Sequence, residues 1–122
     1  MDKRIVMVVE DDHLIRQVIA EALEEEGFEV MEAANGKEAL EALEQVRPSL
    51  ILLDLMMPVM DGWTFRGVQR NDPALADIPV VVVSASLPPG LKLEDLGAKA
   101  MLEKPFGIDL LAQTLAQVAA AA

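Results

Sequence analysis

The stretch Leu50-Ile51-Leu52-Leu53-Asp54-Leu55-Met56-Met57-Pro58-Val59-Met60-Asp61-Gly62 decides how this chain folds. Its apolar residues Leu50 to Leu53 run straight into one carboxylate, Asp54, and such a run predicts a strand buried on both faces. Pro58 and the Asp61-Gly62 pair punctuate the loop that follows. Open α/β sheets bind their ligands beyond the carboxyl ends of the strands. Asp54 is therefore expected at the functional edge of a central strand.

Working outward, Ile5–Val9 and Pro79–Val83 are further near-continuous apolar runs. Phe28–Ala33 alternates and carries Glu29 and Glu32, which suits an edge strand, and Lys99–Glu103 is a shorter strand candidate. Helical patterns lie between them. Leu14, Ile15, Val18, Ile19, Ala22 and Leu23 recur on one face, with Asp12 as N-cap and Gly27 as the stop. Asn35 caps a second pattern that turns Ala39, Leu40, Leu43 and Val46 inward and ends before Pro48. A third runs from Trp63 to Arg70, and a last one from about Ile108 sets Leu111, Leu115 and Val118 on one stripe. Between Ser84 and Lys99 the Pro88-Pro89-Gly90 break predicts a short or irregular fourth helix. This alternation predicts an α/β fold, a parallel sheet with helices on both faces, formed by residues 1–122 as one domain.

Composition narrows the function. The chain has 122 residues, is 52% hydrophobic, contains no cysteine and carries a formal net charge of −11. Disulfides and thiolate metal sites are excluded. So acidic a domain repels nucleic acid and anionic membranes and favours basic protein surfaces or cations. With neither a secretory pattern nor a membrane-length apolar run, the expected location is cytoplasmic.

Directly after the first strand come Glu10, Asp11 and Asp12. Parallel strands share a direction, so these carboxylates face the same edge as Asp54. Ser84 ends the fourth strand there and Lys104 follows the fifth. Hard oxygen ligands in this number suit Mg²⁺. A metal-bound carboxylate can act as a nucleophile toward phosphorus, with an ammonium and a hydroxyl to stabilise the phosphoryl oxygens.

Four ordered motifs carry a resemblance: VVEDD after the first strand, LLDLMMPVMDG around the third, VVSA at the end of the fourth and EKPF at the end of the fifth. The chain resembles, over about its whole length, the receiver domain of two-component response regulators, of the single-domain chemotaxis type. That resemblance implies a flavodoxin-like five-stranded sheet of order 2-1-3-4-5. It implies Asp54 as phosphoacceptor and Mg²⁺ held by Asp11, by Glu10 through water, by Asp54 and by the backbone carbonyl of Met56. Ser84 becomes the hydroxyl that moves toward the phosphoryl group, Lys104 its cationic partner, and the Lys104–Pro105 bond is expected to be cis. The donor would be a phosphohistidine on a sensor kinase or a histidine phosphotransfer protein, and the output a contact with a downstream protein. The chain would be a monomer, or a dimer formed on phosphorylation. It would not be an enzyme beyond phosphorylating and dephosphorylating itself.

Two departures from the family pattern stand out. The switch aromatic, three residues before the lysine, is replaced by Met101, and the fourth-helix region is interrupted by Pro88-Pro89-Gly90. Both fall on the family's usual output face. Met56 and Ser86, at the positions that flank the attacking water, offer neither carboxylate nor amide, which predicts slow self-dephosphorylation.

Singly, each residue has an ordinary explanation: Asp54 as a helix cap, Ser84 as a strand-end hydroxyl, Lys104 as a snorkelling surface lysine. Asp12 reads as a cap, His13 as an exposed first-turn residue, Trp63 and Phe65 as packing, and Met56, Met57 and Met60 as loop packing. Together, the acidic pair, Asp54 and Lys104 favour the phosphoacceptor. A Mg²⁺-dependent aspartyl phosphatase would call for a second aspartate where Met56 stands. A nucleotide-binding flavodoxin-like protein would call for a phosphate loop where Glu10-Asp11-Asp12 stands. A receiver-like interaction module that works without phosphorylation stays open because of Met101 and the interrupted fourth helix.

Overall fold

The strands β1 (Ile5–Val9), β2 (Glu29–Ala33), β3 (Leu50–Asp54), β4 (Val80–Ser84) and β5 (Ala100–Glu103) form one parallel sheet of order β2-β1-β3-β4-β5. The computed structural model describes residues 4–57, 59–84, 90, 92, 97–104 and 107–121. Among these, the helices are α1 (His13–Glu25), α2 (Gly36–Leu43), α3 (Gly62–Arg70) and α4 (Ile108–Ala121). The expected short fourth helix between residues 84 and 99 and the Lys104–Pro105 bond lie outside the described residues.

Alternation along the strands divides the core into two layers. Met7, Val9, Ile51, Leu53, Val80 and Val82 point to one face, where Ala39 and Leu43 of α2 and Phe65 of α3 cover them. Val6, Val8, Leu50, Leu52, Val81 and Val83 point to the other, under Ile19 and Leu23 of α1 and Leu111 and Leu115 of α4. Every residue of β3 and β4 is buried, whereas β2 shows the mixed pattern of an edge strand.

The helix caps follow the local sequence. Asp12 Oδ1 accepts from the amides of Leu14 and Ile15, and Asn35 Oδ1 from that of Glu38. Asp61, read above only as loop punctuation, caps α3 through the Thr64 amide at 2.7 Å.

Three expectations about packing need correction. Leu14 (71% exposed), Ile15 and Val18 lie on the solvent side of α1. Only Ile19, Ala20 and Leu23 are buried there, because Arg16, one turn before Ile19, takes the inward position at the start of the helix. Val46 does not continue the α2 stripe, since that helix ends at Leu43 and Val46 is exposed. Trp63 and Met56 are exposed rather than packed, whereas Phe65 is fully buried and Met57 and Met60 pack against the core.

Val59, in the loop between β3 and α3, has φ +67°. This left-handed conformation costs a non-glycine residue roughly 1–2 kcal/mol. Glycine there relieves that cost but loses about 0.5–1 kcal/mol more entropy on folding. Val59→Gly is therefore expected to stabilise the protein by about 0.5–1 kcal/mol in urea unfolding, and a destabilised variant would contradict this account.

Candidate functional site

Register brings the site together. Val9 pairs with Leu53, Leu53 with Val82, and Val82 with Met101, so one row crosses four strands. Glu10, Asp54, Ser84 and Lys104 all lie just beyond that row, on the carboxyl edge of the sheet. The edge is held by backbone bonds from the Glu10 amide to Ala33 O (3.0 Å) and from the Lys104 amide to Ser84 O (2.8 Å).

Carboxylate oxygens of Glu10, Asp11 and Asp54 lie within 4.8 Å of one another. Glu10 and Asp54 are buried, and Asp11 is exposed. The Lys104 ammonium donates to both Glu10 oxygens, at 2.8 and 3.0 Å, and to Asp54 Oδ2 at 3.2 Å. One ammonium among three carboxylates leaves the cluster negative, so a further cation is electrostatically welcome. The donor set, hard oxygens converging from two adjacent strand ends, fits Mg²⁺.

Met56 contributes through its backbone. The residue is 62% exposed, while its amide donates to Asp54 Oδ1 at 3.0 Å. Ser84 is fully buried, one residue past Val83, the register partner of Asp54. Met101 is half-buried on β5 and packs against the core layer containing Val82 and Phe65. It does not join the carboxylate cluster. Ser86 lies outside the described residues.

Two further residues shape the site: Gly62, read above only as loop punctuation, and Arg16, which the sequence did not single out. Gly62, the first residue of α3, lies directly on the backbone of Asp54 and Leu55. Arg16 bonds the Glu10 carbonyl at 2.7 Å. A glycine following a capping aspartate hints at the first. The second had no usable signal, because so acidic a chain offers Arg16 many partners.

Burial pushes the Glu10 carboxyl up to about 7, against the hydrogen bond from Lys104 and with reinforcement from Asp54. Burial acts to lower the Lys104 pKa, but its bonds and charge interactions with Glu10 and Asp54 outweigh this and raise it. A carboxyl whose pKa is raised on folding contributes stability that is full below about 4.5 and is lost as pH rises through about 7. Metal-free protein should thus lose on the order of 1–3 kcal/mol at Glu10 across that window. Scanning calorimetry should show this part of the slope missing in Glu10→Gln; identical pH profiles for the two proteins would refute it.

The fold and this carboxylate–lysine edge define a class, and comparison with known proteins agrees. Residues 6–116 match the response regulator receiver domain model, so the chain belongs to the family of response regulator receiver domains. It is 31% identical over 112 residues to the polar-differentiation response regulator DivK of Brucella anthropi, covering 90% of this chain and 91% of that one. It is 34% identical over 106 residues to the DNA-binding dual master transcriptional regulator RpaA of Synechocystis, covering 85% of this chain. The chain spans 44% of the length of that relative. Among solved structures, the chemotaxis response regulator CheY4 of Vibrio cholerae superposes with a TM-score of 0.88 at 33% identity, over 96% of this chain and 99% of that one. The receiver domain of a signal transduction histidine kinase from Syntrophus aciditrophicus gives 0.89 at 28% identity, over 97% and 91%. No described helix is long and apolar enough to cross a membrane.

Proposed function

We propose that residues 1–122 form a receiver domain that accepts a phosphoryl group on Asp54 from a partner's phosphohistidine and thereby changes its protein contacts. The observation that carries this reading is the convergence of Glu10, Asp11 and Asp54 around the Lys104 ammonium at one strand edge. An Asp54 carboxylate oxygen forms the new O–P bond as the donor's P–N bond breaks, and the electron pair returns to the imidazole. Lys104 neutralises one phosphoryl oxygen, and the Ser84 hydroxyl donates to another. The Met56 amide orients the Asp54 carboxylate through Oδ1. Mg²⁺ would be held by Glu10, Asp11, Asp54 and the Met56 carbonyl, and when bound it would cancel charge that otherwise blocks the approach of the donor.

The partners are a sensor histidine kinase or a histidine phosphotransfer protein, and downstream a protein target. This is a phosphoacceptor rather than a turnover enzyme, and it acts in the cytoplasm. Met101 takes the switch position. Its half-buried packing against the core favours a change of packing on β5 over the swing of a ring. The test is a stoichiometric phosphoryl adduct on the intact chain, formed with phosphoramidate and Mg²⁺.

The exposed thioether of Met56 can neither hold nor activate a water. Loss of the adduct in Mg²⁺ should accordingly take minutes or longer, and Met56→Glu should speed it by about tenfold or more. Intact mass against time decides; hydrolysis of the wild-type adduct within seconds would contradict the expectation.

A further inference from the structure

The acidic pair Glu10-Asp11 is joined by one peptide, and the carbonyl of that peptide belongs to Glu10. Arg16 Nη1 donates to it at 2.7 Å. The same guanidinium reaches β2, where Nε donates to Glu32 Oε1 at 3.2 Å, and its Nη2 lies 3.1 Å from His13 Nδ1. The arginine side chain is only 14% exposed and Glu32 is 46% exposed, so the fork sits beneath the turn with its outer anchor at the surface. On the other side of Glu10, the amide donates to Ala33 O at 3.0 Å. Both backbone groups of Glu10 are therefore fixed, one by the β2 backbone and the other by Arg16.

We propose that Arg16 is a positioning residue that orients the Glu10–Asp11 peptide, and with it both carboxylates, for binding of a divalent cation beside Asp54. The proposal rests on the reading of this edge as a Mg²⁺-dependent phosphoacceptor. A change of ψ at Glu10 would turn its carbonyl and carry Asp11 round relative to Glu10, so a bond that holds the carbonyl also holds Asp11 in place beside Glu10. That hold is in place before the cation arrives. Groups that orient metal ligands in this way typically change affinity by 10–100-fold when they are removed.

The sign of the effect separates positioning from charge. Removing a nearby positive charge should, by Coulomb's law alone, tighten cation binding. If Arg16 positions the acidic pair, its removal weakens binding instead. Mg²⁺ is titrated calorimetrically into wild type and Arg16→Met, which keeps the aliphatic stem and suits a helix. The expected result is a Kd about tenfold weaker, with an Asp54 adduct that recovers to wild-type yield at saturating Mg²⁺. An unchanged or tighter Kd overturns the proposal, whether or not the melting temperature falls. So does an adduct yield that stays low at saturation, because mass action restores a ligand set that is only badly oriented. Should Arg16→Met not fold, Glu32→Gln is titrated at high ionic strength, where exposed charges are screened. A Kd about threefold weaker supports the positioning role, and an unchanged one overturns it. Wild-type protein that neither binds Mg²⁺ nor forms an adduct overturns the phosphoacceptor reading itself, an outcome distinct from wild-type binding that is indifferent to Arg16.

Discussion

Asp54→Asn is expected to abolish the phosphoryl adduct, with a loss of at least a hundredfold under conditions that fully modify the wild type. The substitution keeps size and shape. Its carbonyl oxygen can still accept the Met56 amide bond that Asp54 Oδ1 accepts at 3.0 Å. What it removes is the anionic oxygen proposed to attack phosphorus and one charge of the carboxylate cluster. It also lowers the charge crowding Glu10, since Asp54 helps to raise that carboxyl. The Nδ2 of the variant replaces the oxygen that accepts from Lys104, which keeps its bonds to both Glu10 oxygens, and urea unfolding of the variant separates loss of the adduct from loss of the fold. Asp61→Asn is the matched control. Asp61 caps α3 through the Thr64 amide, and asparagine caps about equally well, so both adduct and stability should be kept. Intact mass after phosphoramidate and Mg²⁺ reads both. A wild-type adduct yield on Asp54→Asn would sink the assignment of the phosphoacceptor.

The second large effect is structural. In Gly62→Ala, the new Cβ would lie 2.5 Å from the Asp54 carbonyl oxygen and 2.7 Å from Leu55 Cα. Both obstacles are backbone, so no side-chain rotation relieves them. Either α3 moves off the sheet or the end of β3 does. The first loosens the packing of the fully buried Phe65, and the second displaces Asp54. Overpacking of this kind costs about 2–3 kcal/mol, which exceeds the roughly 1 kcal/mol that alanine gains over glycine in a helix. Gly67→Ala provides the contrast within the same helix. Nothing lies within 4 Å of a Cβ built there, so the propensity gain stands alone and the variant should be stabilised by up to about 1 kcal/mol. Urea unfolding of the pair should move the midpoints in opposite directions; equal shifts would refute the account.

The unbroken apolar runs Leu50–Leu53 and Val80–Val83 identified parallel strands covered on both faces, because only such strands need no polar side. Parallel direction alone puts Glu10, Asp54, Ser84 and Lys104 on one edge. Asp12 and Asn35 were legible as caps because a cap is a local bond. The burial of α1 was not legible. Leu14 and Val18 have the spacing of a buried stripe, yet the inward position at the start of the helix belongs to Arg16. Periodicity shows that a helix has an apolar side, but which part of that side is covered depends on how the helix lies across the sheet.

By itself, the sequence determined the strand order through the family pattern, the chemical types at the carboxyl edge, and the net charge of −11. The tertiary structure alone decided that Lys104 bridges Glu10 and Asp54, that α3 leaves no room for a side chain at Gly62, and that Arg16 binds the peptide between Glu10 and Asp11. The physical reason is docking. Caps are set by neighbours a few residues away, whereas Lys104 meets Glu10 and Asp54 across 94 and 50 residues. The contacts of Arg16 and Gly62, though near in sequence, form only once α1 and α3 lie on the sheet, and among so many acidic side chains only geometry selects which one a given cation meets.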